Sequence, residues 1–178
     1  MITGNAIIDV PIFILIIIGI IFIVSKKVNN IWERRAYTDD FGRPTKEFYV
    51  GQKKKQVGLF SNSATSGSSM DYCAFIDKDE ISFRFWDYGN YQLKNAYSEH
   101  EYYDFKCLAP SGERFEATAV MYGGTSELVI DDKNEVADFL KFFQNNKSIK
   151  VILSCGLREY KFTMKKGNFD KVFNSGIK

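Results

Sequence analysis

Tyr103-Asp104-Phe105-Lys106-Cys107-Leu108-Ala109-Pro110-Ser111-Gly112-Glu113-Arg114-Phe115-Glu116-Ala117-Thr118-Ala119-Val120-Met121 decides the fold of the soluble part of this chain. Tyr103, Phe105 and Cys107 alternate with Asp104 and Lys106, the period-2 pattern of a strand with one buried face. Phe115 to Met121 reads the same way, and Ala109-Pro110-Ser111-Gly112-Glu113 between them has the proline and glycine chemistry of a hairpin turn. Two antiparallel strands need further strands beside them before they can bury a face.

Those strands lie on either side. Ile81, Phe83 and Phe85 alternate with Ser82 and Arg84; Ile149, Val151 and Leu153 do so further on, followed by Tyr160, Phe162 and Met164. Tyr88-Gly89-Asn90 and Gly123-Gly124 end two of the runs. One helical pattern interrupts them, with Val136, Phe139, Leu140 and Phe143 at i, i+3, i+4 and i+7. Asp132, with Glu135 three residues on, forms its capping box. A short C-terminal helix follows Gly167, with Asn168 as N-cap and Phe169, Val172 and Phe173 inward. The expected body is a mainly antiparallel β domain, a sheet or two-sheet sandwich of roughly seven or eight strands, with one packed amphipathic helix and a short terminal one.

At the other end of the chain, residues 6–25 form a nearly unbroken apolar run interrupted by Asp9, Pro11 and Gly19. About 20 apolar residues in a helix cross a hydrocarbon core of about 30 Å, so the run predicts a transmembrane helix. Ile7, Val10, Phe13, Leu15, Ile18, Phe22 and Val24 are its anchor residues. No basic residue precedes the run, and no small-x-small site follows it, which argues against a cleaved signal. Lys26, Lys27, Arg34 and Arg35 all follow it. By the rule that such residues stay in the cytoplasm, the N-terminus lies outside and the domain inside. The odd number of cysteines (Cys73, Cys107 and Cys155) agrees with that side, the periplasmic or extracellular side being the alternative. Trp32 and the neighbouring bases read as an interfacial belt. The expected divisions are thus a single-pass membrane anchor with flanks over 1–27, a juxtamembrane connector over 28–47 and the β-rich soluble domain over 48–178.

Chemistry is sparse. His100, the one histidine of the chain, sits between Glu99 and Glu101 in a polar turn, and no motif orients a nucleophile. The cysteines lack metal-ligand spacing, so no metal and no cofactor is expected; Cys107 and Cys155 read as small core residues. Asp77, Asp79 and Glu80, and Asp131 with Asp132, read as turn and cap residues. Gly123-Gly124-Thr125-Ser126 leads into a strand, not a helix, and so is no phosphate loop. A net charge of +2 removes the electrostatic case for nucleic acid.

The most distinctive local string is Gly58-Leu59-Phe60-Ser61-Asn62-Ser63-Ala64-Thr65, which enters a run of small polar residues. Ser61, Asn62, Ser63 and Thr65 either close a loop on the backbone or form a candidate ligand rim. Thr38-Asp39-Asp40-Phe41-Gly42-Arg43-Pro44-Thr45, then Phe60-Ser61-Asn62-Ser63-Ala64-Thr65, and later Asn168-Phe169, resemble a group of small bacterial proteins of the Bacteroidetes type over about residues 38–175. The resemblance implies a compact β-rich domain and brings no activity with it to carry over. The leading expectation is a membrane-tethered, non-catalytic interaction domain with a protein partner of unknown identity. The alternatives are an enzyme with carboxylates dispersed in sequence and a self-associating envelope component.

Overall fold

The alternating runs become strands, and the strands close on themselves. The computed structural model describes residues 30–89 and 91–175, and its compact unit begins at Ile31. In chain order the strands are β1 (Trp32–Thr38), β2 (Pro44–Gln52), β3 (Gln56–Ser61), β4 (Ser68–Ile76), β5 (Ile81–Asp87), β6 (Tyr91–Gln92), β7 (Glu101–Leu108), β8 (Arg114–Met121), β9 (Leu128–Ile130), β10 (Ser148–Cys155) and β11 (Arg158–Lys165). Helices α1 (Lys133–Asn145) and α2 (Phe169–Asn174) complete the fold. Hydrogen bonding runs β4-β3-β11-β10-β7-β8-β9-β5 and returns from β5 to β4, a closed antiparallel barrel of eight strands.

This corrects the expected sheet or two-sheet sandwich. Period-2 alternation is the same in a sandwich and a barrel; closure depends on tilt and stagger between strands, which the alternation does not encode. One close approach between neighbouring strands is at Gly58. A Cβ there would lie 2.9 Å from the Lys161 carbonyl oxygen and 3.0 Å from Phe162 Cβ, so only glycine lets β3 approach β11 this closely. The remaining strands branch from the ring: β2 pairs with the end of β4, β1 with β2, and β6 with the end of β5.

The other half of the expected architecture was a membrane-crossing helix. Among the described residues no helix is long and apolar enough to cross a membrane; α1 has 13 residues and α2 has 6. The run from Ile7 to Val24, with Lys26 and Lys27, lies outside the described residues. The segment expected as a connector is largely sheet, since β1 and the start of β2 fall within it. Trp32, expected at a membrane interface, is wholly buried, and its indole N–H donates to the Lys165 carbonyl at 3.0 Å. Its ring meets Phe143 of α1 and Phe169 of α2 edge-on at 5.9 and 5.3 Å.

An eight-stranded barrel is just wide enough for side chains to fill it, and here they are largely aromatic. Tyr72, Phe83, Phe85, Phe105 and Phe162 interlock across the interior. Helix α1 forms where its apolar spacing marks it, with the Asp132 side chain accepting from the Asn134 and Glu135 amides. Val136, Phe139 and Phe143 are buried, Phe139 against Phe105 and Phe115. In α2 the Asn168 side chain does not cap the helix. It accepts from the Trp32 amide and donates to the Trp32 carbonyl, both at 2.9 Å, holding the start of β1.

Candidate functional site

The inward-facing residues of the barrel change character from one end to the other. Side chains two apart on a strand share a face, so each strand can be followed from the helix-bearing end upward. On β5 they run Ile81, Phe83, Phe85 and then Asp87; on β7, Cys107, Phe105, Tyr103 and then Glu101. On β11 they run Met164, Phe162, Tyr160 and then Arg158; on β10, Ile149, Val151, Leu153 and then Cys155. On β4 the last is Ser68. At the helix-bearing end the series begins in apolar residues beneath α1, Trp32 and α2. At the opposite end, here called the mouth, it finishes in a polar ring on an aromatic floor.

The ring is held by named interactions. Arg158 pairs with Glu101 at 2.9 Å, and the Tyr103 hydroxyl donates to the same carboxylate at 3.1 Å. The Arg158 guanidinium lies 5.6 Å from the centre of the Tyr103 ring. The hydrogen bond from Arg158 holds the Glu101 carboxyl below its usual range despite its partial burial, and reciprocally the Arg158 pKa is raised. Tyr160 stacks on Phe85 at 4.8 Å, and burial first, then the Asp87 charge, pushes its phenol up. Asp87 is only 8 % exposed, and burial pushes its carboxyl up.

Loops frame the mouth. Tyr88 adopts the left-handed region with φ of 48°, at a cost of about 1 kcal/mol for a residue with a side chain. It is 61 % exposed, meets Phe60 edge-on at 5.0 Å, and its hydroxyl accepts from Asn62 Nδ2 at 3.0 Å. The candidate rim loop is therefore at the mouth, but most of its polar atoms close the loop itself. Asn62 Oδ1 accepts from the Ala64 and Thr65 amides, Ser61 Oγ from the Gly67 amide, and the Thr65 and Ser68 hydroxyls bond to each other. Ser63 is exposed. Buried Asn95 ties the next loop down through its amide, which donates to the Glu99 and Met121 carbonyls. Leu157, in the turn before Arg158, is 79 % exposed.

A second polar region lies outside the barrel wall, where two grooves of about 540 and 370 Å³ adjoin at Glu80 and Glu127. Burial, then the charges of Asp77, Glu127 and Asp131, pushes the Glu80 carboxyl up. Its neighbours are already engaged: Tyr37 donates to Asp77, Arg84 to Glu127 and Tyr122 to Asp131. Asp77 also closes its own turn by accepting from the Asp79 and Glu80 amides. His100 is exposed, its Nδ1 accepting from the Gly123 amide at 3.3 Å. Among the described residues no three His, Cys, Asp or Glu side chains are grouped to hold a metal ion.

Arg34 and Arg35, expected as topology determinants, lie on β1. Arg34 covers the Phe48 ring at 3.7 Å and Arg35 pairs with Glu33. Asp87 and Arg158 carry no motif, and Glu101 looked like part of the polar turn around His100. The signal that finds them is a charged residue at the last inward position of an otherwise apolar strand, repeated on β5, β7 and β11. Comparison with protein-family models, with curated proteins and with solved structures found no match for this chain.

Proposed function

We propose that this chain is a non-catalytic binding protein that engages its ligand at the mouth of the barrel. The observation that carries the proposal is the difference between the ends: one covered by α1 and α2, the other a polar inward ring framed by exposed Tyr88 and Leu157. Exposed aromatic and aliphatic side chains around a polar centre are what a recognition surface offers. The carboxylates outside the wall favour a hydrolytic alternative less, because Asp77, Glu127 and Asp131 are occupied by internal donors. Location at the cell membrane, with the barrel on the cytoplasmic side, belongs to the same proposal. Its support is the apolar run of residues 6–25 and the bases after it.

The test is a ligand-observed NMR screen of cationic, neutral and anionic fragments against the full-length chain, followed by amide-shift mapping. Hits that move the amides of residues 61–68, 87–89 and 155–158 support the mouth. Hits confined to the outer wall around Glu80, or none at all, overturn it. For location, an impermeant thiol reagent applied to cells carrying Ser63→Cys is expected to label only after permeabilisation; labelling of intact cells contradicts the cytoplasmic side.

A further inference from the structure

We infer that the outer wall of the barrel over β3, β11 and β10 lies against an anionic lipid surface. This rests on the membrane location proposed above and is independent of the mouth. Outward side chains on these strands alternate between aliphatic and cationic from one strand to the next. Leu59 on β3 stands opposite Lys161 on β11, Lys161 opposite Ile152 on β10, and Ile152 opposite Lys106 on β7. Two residues nearer the helix-bearing end, Lys150 stands opposite Thr163 on one side and Leu108 on the other. Val57 and Leu59 are 70 % and 48 % exposed, and with Lys150, Ile152 and Lys161 they line a groove of about 370 Å³.

Charge selects the occupant. Lys161 and Lys106 are paired with Glu159 and Asp104, at 2.6 and 3.9 Å, but among the described residues Lys150 and Lys165 have no acidic partner. Lys53 and Lys54, exposed in the turn that leads into β3, extend the basic surface at the helix-bearing end. The wall directly across the ring, formed by β8, β9 and β5, has the opposite character: Glu80 and Glu127 stand where its two grooves meet, and its Arg84 is paired to Glu127. A negative surface therefore attracts one wall and not the other, which gives docking a fixed orientation. Lysines among exposed aliphatics suit a bilayer, since the ammonium heads meet anionic headgroups while lysine stems, Val57 and Leu59 offer apolar surface to the layer beneath. The course of the chain agrees. The Lys53 amide donates to the Ile31 carbonyl at 2.9 Å, so the barrel is entered beside this basic turn. Residues 26–29 alone separate Asn30 from the apolar run of residues 6–25, a reach of at most about 18 Å when fully extended.

The test places the full-length chain in nanodiscs of phosphatidylcholine, alone or mixed with phosphatidylserine, that carry a headgroup spin label, and reads the broadening of methyl NMR signals. Broadening of Val57, Leu59 and Ile152 with phosphatidylserine present, much weaker without it, is expected, with Val120 and Val129 on the opposite wall spared. Lys150→Glu combined with Lys165→Glu, at two exposed positions, is expected to lower the ratio of docked to undocked wall about tenfold or more while retaining the melting temperature. Equal broadening in both lipids, equal broadening of the opposite wall, or unchanged docking of the doubly substituted chain overturns the inference. If polyglutamate moves the Val57, Leu59 and Ile152 signals while the nanodiscs do not broaden them, the face serves an acidic protein and the lipid surface falls. A chain that stays out of the nanodiscs removes the membrane location along with the inference; one that enters them with this wall unbroadened removes the inference alone.

Discussion

The two ends of the barrel are built from the same strands by opposite rules. At the helix-bearing end every inward position is apolar and covered, and Trp32, Phe139, Phe143 and Phe169 meet edge-to-face or stacked. At the mouth the inward positions include the charged Asp87, Glu101 and Arg158, and a residue with a side chain, Tyr88, sits in a left-handed backbone. The difference teaches that stability is concentrated below and that the mouth gives some of it up, as regions under functional constraint do.

The comparison breaks first at the helix-bearing end. Trp32→Ala removes the side chain that joins β1 to both helices and is expected to cost about 3–5 kcal/mol, read as a lower denaturation midpoint. A loss under about 1 kcal/mol would mean that β1 is not part of the core.

At the mouth, Arg158→Met leaves the Glu101 carboxylate without its ion pair, and a cost of about 1–3 kcal/mol is expected. Its pH profile adds a second check. Because the Glu101 carboxyl is held low in the folded chain, it contributes stability above its unfolded value, and that stability is lost as pH falls through the folded value. The part of the acid limb due to this pair should be absent from Arg158→Met.

Asp87 has the reverse sign. Its carboxyl is held high, so the folded chain keeps its proton to higher pH than the unfolded chain, and stability falls as pH rises from the ordinary value of 3.8 through the folded one. Asp87→Asn should therefore be more stable than the parent near neutral pH and should not show that fall. Below 3.8 the two should converge, as the parent is then protonated in both states. The smallest effect belongs to Ser63→Ala, an exposed position expected to move stability by less than about 0.5 kcal/mol.

Much of the barrel wall was legible in the sequence. Tyr103, Phe105 and Cys107 face inward as their alternation requires, and so do Tyr160, Phe162 and Met164. What the pattern left open was closure, which rests on the β5–β4 and β3–β11 pairings between runs of identical appearance. Trp32 misled because an aromatic beside basic residues after an apolar run suits a membrane interface as well as a strand. Only the contacts from Phe143, Phe169 and Asn168 decide between them. The rim loop lies at the mouth, but its hydroxyls and amides chiefly hold its own turn. The mouth residues were hidden for a different reason. Asp87, Glu101 and Arg158 are spread over three strands, and only closure gives their inward positions a common end.

The most direct measurement is a carbon-13 carboxyl titration of Asp87 in the full-length chain. The expected result is a midpoint above the ordinary 3.8. A midpoint at or below that value would contradict the account of the mouth as an end whose inward carboxyl is held high by burial.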